Sequence, residues 1–95
     1  MKIIELDLTG CEYQYDMHEK IKVAFDFPDW YGMNWDAFWD LLRSECDADK
    51  VIVKGEKSLP KELDNAVKIM HKVLDDTVAF RQKYNCAPFS YEVID

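Results

Sequence analysis

Asp36, Trp39, Asp40 and Arg43 are the residues of this chain whose types and spacing invite chemistry. They lie in Asn34-Trp35-Asp36-Ala37-Phe38-Trp39-Asp40-Leu41-Leu42-Arg43. At 3.6 residues per turn, offsets of three, four and seven fall on one helical face. Trp35, Phe38, Leu41 and Leu42 fall on the opposite face and can bury against a core. The outward stripe therefore carries a large aromatic between two carboxylates. Asp is a poor helix former, and like charges at i,i+4 cost about 0.2–0.5 kcal/mol. Folding alone does not call for this arrangement; a cationic partner would.

Enzymatic readings of the stripe fare poorly. A glycosidase needs two separated carboxyls flanking a cleft, whereas Asp36 and Asp40 are neighbours on one exposed turn. Nothing in the pattern supplies the burial that tunes a carboxyl for acid–base work. No DxDxDG-type calcium loop is present, and Arg43 opposes a cation at the stripe. Three glycines could hardly form a phosphate loop. His18 and His71 are single histidines on helical segments and are expected at the surface or the core boundary. No enzyme activity, metal or cofactor is expected. Aromatics beside charges are instead the usual make-up of interface hot spots. Trp30 and Trp39 are the aromatics in question, and at least one is expected to be exposed.

The elements that must position the stripe can be read from the pattern. Residues 3–8 alternate as a strand, with Ile4, Leu6 and Leu8 on one side. A helix is expected over Met17–Phe25. Asp16 would cap it, with Glu19 completing a capping box, and Met17, Ile21, Ala24 and Phe25 would be buried. Pro28 closes this segment. In the loop Asp29-Trp30-Tyr31-Gly32-Met33, Gly32 is expected to supply a positive-φ turn. Asn34 fits the N-cap of the second helix, and Asp36 in its first turn suits the helix dipole. Val51-Ile52-Val53 reads as a buried strand. From Ser58 to about Tyr84 runs a long helical pattern in which a break is possible, with Leu63, Val67, Met70, Leu74 and Val78 toward the core. Phe89–Ile94 reads as a last strand.

Helix-containing connections favour parallel pairing with right-handed crossovers. The expected fold is thus α/β: one domain, 1–95, with a three-stranded parallel sheet covered by three or four helices. The 95 residues, about half apolar, with five Phe, five Tyr and three Trp, suffice for a core without disulfides. Cys11, Cys46 and Cys86 show no metal-ligand spacing and are expected to be reduced, which suits the cytoplasm. Glu5 and Asp7 interrupt the apolar start, so no signal peptide is expected. No transmembrane segment is expected either. Net charge is −7, from 19 acids and 12 bases. That balance disfavours nucleic acid and anionic membranes as partners and favours basic proteins, although it fits plain solubility as well.

The stretch Phe27-Pro28-Asp29-Trp30-Tyr31-Gly32-Met33-Asn34-Trp35-Asp36-Ala37-Phe38-Trp39-Asp40-Leu41-Leu42 resembles the signature of the barstar family. That signature is a Pro, an acid, two aromatics, Gly-x-Asn-x-Asp, a small and an apolar residue, Trp-Asp and Leu. The resemblance implies the sheet-and-helix fold above and an intracellular inhibitor of barnase-type extracellular ribonucleases, monomeric when free. It also implies that the helix and preceding loop plug the nuclease active site without covalent chemistry. The carboxylates would take the places of RNA phosphates. The family's type complex is itself the general example of electrostatic steering and charge pairing across an interface.

By position, the resemblance assigns partner contact to Asp40 first and Asp36 second. Trp30 would pack on the enzyme rim or a catalytic histidine, Gly32 and Asn34 would shape the loop, and Trp39 would be contact or support. Arg43 stands where the type member has a small neutral Thr, and Met33 replaces an acid. An acidic contact on a later helix has Asp75 or Asp76 as counterparts, or else Ala79 at that place. Arg43 and Met33 favour the alternative reading, a barstar-like interaction module with a non-nuclease partner.

Overall fold

A computed structural model describes residues 2–44 and 46–94. The chain runs through β1 (Ile3–Asp7), α1 (Gln14–Phe25), α2 (Trp35–Ser44), β2 (Lys50–Lys54), α3 (Asp64–Lys83) and β3 (Ser90–Val93). Two short 3₁₀ turns, Glu56–Ser58 and Lys61–Leu63, lead into α3, so the long pattern from Ser58 does break. The strands form one parallel sheet in the order β1-β2-β3, the expected α/β architecture.

Register places Ile4 beside Val51 and Leu6 beside Val53. These four side chains are buried and make the inner face, on which the helices pack. The alternate positions form an outer face kept soluble by cross-strand ion pairs: Lys54 Nζ lies 3.0 Å from Glu5 Oε1, and Lys50 Nζ lies 3.0 Å from Glu92 Oε2. Against the inner face sit Met17 and Ile21 of α1, Phe38 and Leu42 of α2, and Met70 and Leu74 of α3, all fully buried.

Two local expectations are corrected. The first helix starts earlier, at Gln14, with Tyr13 as its N-cap residue. Asp16 sits inside the first turn, where its carboxylate accepts the Glu12 and Tyr13 N–H groups at 3.0 and 3.1 Å. It thereby satisfies donors that the helix leaves open, and Glu19 stays exposed rather than closing a capping box. On α3 the buried stripe is Ala66, Met70, Val73, Leu74, Thr77 and Arg81, while Val67 and Val78 are only half-buried.

That helix can bury two polar side chains because each finds carbonyl acceptors. Thr77 Oγ1 donates to Val73 O at 2.8 Å. The Arg81 guanidinium donates to the carbonyls of Cys46 at 3.0 Å, Ala87 at 3.2 Å and Ala48 at 3.5 Å, and lies over the Phe89 ring. One buried cation thus joins the segment after α2 to the segment before β3. Its place in the last turn of α3 suits the helix dipole.

Candidate functional site

The loop between α1 and α2 is held from inside by a buried pair. Tyr31 is buried, and its hydroxyl lies 2.8 Å from His18 Nδ1 and 3.4 Å from the Asn34 carbonyl. Both contacts are met when Nδ1–H donates to the Tyr31 oxygen and the Tyr31 hydroxyl donates to Asn34 O. His18 is therefore a core residue, not the surface or boundary histidine expected. Burial holds its pKa down at about 4 and pushes that of Tyr31 well up. Trp35, expected in the core, is half-buried at the α1–α2 seam: its ring lies 4.2 Å from His18, and Nε1–H donates to Gln14 Oε1 at 3.0 Å.

Asn34 caps α2 as expected, its Oδ1 accepting the Ala37 N–H at 2.8 Å. Its Nδ2 donates back to Gly32 O at 3.0 Å, so one side chain fixes both loop and helix start. Gly32 does not supply the left-handed turn. Met33 does, at φ 54°, a region that costs a non-glycine residue strain. Gly32 is needed for space instead. A Cβ there would meet Asn34 Nδ2 at 3.2 Å and the Ala37 Cβ at 3.3 Å.

With Tyr31 inside, Trp30 points outward and is 70 % exposed. On α2, Phe38, Leu41 and Leu42 are buried, which turns Asp36, Asp40 and Arg43 to solvent. Asp36 has no ion-pair partner among the described residues. Asp40 does: the Arg43 guanidinium pairs with its Oδ1 while lying 4.8 Å over the Trp39 ring. Trp39 is half-buried because its other side meets Phe80 of α3 edge-on at 5.9 Å. Phe80 in turn contacts the exposed Tyr84 at 4.8 Å. The stripe thus continues onto α3 as an aromatic ladder that sequence reasoning missed. The only signal for it was the i,i+4 spacing of Phe80 and Tyr84.

The two acidic candidates on α3 diverge. Asp75 accepts the Tyr91 hydroxyl at 2.6 Å, on the β3 side of the helix. Asp76 lies one turn before Phe80, on the α2 side, where it pairs with Lys72 at 2.9 Å. Ala79 is exposed. So of the residues expected at the site, Asp36, Trp39, Asp40 and Arg43 lie on the outward side of α2, Trp30 is exposed on the loop before it, and Gly32 and Asn34 shape that loop.

The carboxylates of Asp36 and Asp40 are exposed, and the Ser44 hydroxyl donates to the Asp40 carbonyl at 2.8 Å. Among the described residues, no three His, Cys, Asp or Glu side chains converge as a metal-binding group, and no helix is long and apolar enough to cross a membrane.

The chain matches the family model described as "Barstar (barnase inhibitor)" over residues 1–90. It is also similar to a Bacillus subtilis (strain 168) protein named "Putative ribonuclease inhibitor YrdF". The two are 43 % identical over 53 residues, a match covering 56 % of this chain and only 58 % of that relative. With the fold, the loop and α2 all in place, and the family model spanning nearly the whole chain, this protein belongs to the barstar family.

Proposed function

We propose that this protein is an inhibitor of a basic extracellular ribonuclease or a related toxin, acting in the cytoplasm and monomeric when free. Its loop and α2 would enter the nuclease active site. One observation carries the reading: a helix capped by Asn34 turns Asp36 and Asp40 to solvent, and the loop leading into it exposes Trp30. Asp40 and Asp36 would meet the enzyme's phosphate-binding cations, and Trp30 would cover the rim. Trp39 would act from behind as support, since Phe80 and Arg43 enclose it. Asp76, one turn before Phe80, would be the α3 acid that meets the same partner. The name of the Bacillus relative supports the same role.

The test is titration of the chain into secreted basic ribonucleases, reading RNA hydrolysis. Inhibition that is stoichiometric and weakened by salt is expected. Asp40→Ala should cost about 2–5 kcal/mol, roughly 30-fold in affinity and upward. If no basic ribonuclease binds, the reading fails.

A second reading has its own support. The Asp40–Arg43 pair and the apolar Met33 make this surface less negative than a basic active site asks for. They favour a barstar-like interaction module with a non-nuclease partner. The response to Arg43→Thr, argued in the Discussion, separates the two.

A further inference from the structure

The acidic surplus of this chain is not centred on α2. That helix holds two acids and one arginine, and the arginine already pairs with Asp40. Between Glu12 and Asp29, in contrast, five acids face two lysines. Three of these acids, Glu19, Asp26 and Asp29, and one of the lysines, Lys22, line an open groove between α1 and the loop.

The buried Phe27 and Tyr31 and the half-buried Met33 line the groove. Along one side Tyr15, Glu19 and Val23 follow each other at i,i+4 spacing, so they share a stripe of α1. Tyr15 is 59 % exposed and Val23 81 % exposed. Asp26 and Asp29 complete an acidic rim with Glu19. Lys22, the one cation among the described residues lining it, lies 3.6 Å from Asp29.

We propose that this groove receives a lysine or arginine side chain of the basic partner, extending the partner's footprint from α2 across the loop onto α1. The proposal rests on the inhibitor reading above. A long basic side chain suits the groove at both ends. Its aliphatic stem would cover Val23 and the Tyr15 ring, and its charged head would reach Glu19, Asp26 and Asp29. A cation over the Tyr15 face gains further. The groove adjoins the loop that carries Trp30, because Asp29, Tyr31 and Met33 of that loop line it. A basic partner that covers this loop as well as α2 would meet the second acidic region. That region supplies the negative charge that the Asp40–Arg43 pair withholds.

The experiment is calorimetric titration of the whole chain, Val23→Lys, Glu19→Lys and Asp40→Ala against a panel of secreted basic ribonucleases, with thermal melts as folding controls. Val23→Lys and Glu19→Lys should each weaken binding about tenfold and flatten its salt dependence. If a lysine variant melts early, Val23→Ala and Glu19→Gln replace it, with an expected loss of about threefold. Groove variants that bind within about twofold of the parent, while Asp40→Ala binds weakly, overturn the groove and leave the inhibitor reading standing. Parent-like binding by every variant, or no binding by any ribonuclease, overturns both.

Discussion

His18 Nδ1 lies 2.8 Å from the Tyr31 hydroxyl, inside the protein and directly beneath the loop that presents Trp30. The pair fastens the loop to α1, and through the Asn34 carbonyl it reaches the first turn of α2. It also places a titratable ring in the core, where burial holds it neutral.

Burial holds His18 at about 4, below its ordinary value of 6.5. Between those values the unfolded chain binds the proton and the folded chain does not, so stability rises with pH across that window. The contribution is complete above about pH 6.5 and is lost as pH falls toward 4. Between pH 7.5 and pH 5 it amounts to about 2 kcal/mol. Urea unfolding at both pH values should show this slope in the parent and lack it in His18→Gln. Equal slopes would mean that His18 is not held neutral by the fold.

Gly32 and Met33 give a pair of opposite expectations. The strained φ is at Met33, and the crowded Cβ position is at Gly32. Met33→Gly relieves about 1–2 kcal/mol of left-handed strain and forfeits about 0.5–1 kcal/mol through the freer unfolded chain. The net of these two effects is a gain of at most about 1.5 kcal/mol, from which the lost packing of the half-buried Met33 side chain subtracts. Gly32→Ala should cost about 1 kcal/mol or more, because the new methyl pushes on Asn34 and Ala37. Denaturant midpoints measure both, and a stable Gly32→Ala would remove the packing argument.

The parts of the molecule that could be read from sequence are those in which the pattern is local. Ile4 and Leu6 alternate within β1, and Leu8 just after it is buried as well. Asn34 precedes an amphipathic turn, and α2 has a single apolar face. Errors arose where distant residues decide. His18 is buried because Tyr31, thirteen residues on, gives it a partner. Thr77 and Arg81 look like solvent-facing residues until the Val73 carbonyl and the distant Cys46 and Ala48 carbonyls are in place. Apolar residues occur nearly all round α3, so its periodicity alone could not tell which stripe faces the core. Phe80 joined the candidate site for the same reason, through packing on Trp39.

Arg81 is expected to be one of the most sensitive positions for stability. Arg81→Met removes donors from the Cys46, Ala48 and Ala87 carbonyls at once. The cost should be about 3 kcal/mol by urea unfolding. Arg81→Lys should recover less than half of it, because a point charge cannot span carbonyls that a planar fork reaches together. Full recovery by Lys would show that charge rather than geometry matters there.

Arg43 decides between the two functional readings. It holds the Asp40 carboxylate and stacks over Trp39, so a cationic active site approaching Asp40 meets a charge already compensated. A partner must displace the guanidinium or satisfy its remaining N–H groups. Arg43→Thr frees Asp40 and removes a like charge facing the basic partner. The stability change should be small, at most about 1 kcal/mol, since the pair is exposed. For a basic ribonuclease, affinity should rise about tenfold, with a steeper salt dependence. For a non-nuclease partner that uses Arg43 as a donor, the same substitution should lower affinity by about that factor. Measuring both constants for parent and Arg43→Thr distinguishes an inhibitor whose arginine tempers its affinity from a module whose arginine is part of what its partner recognises.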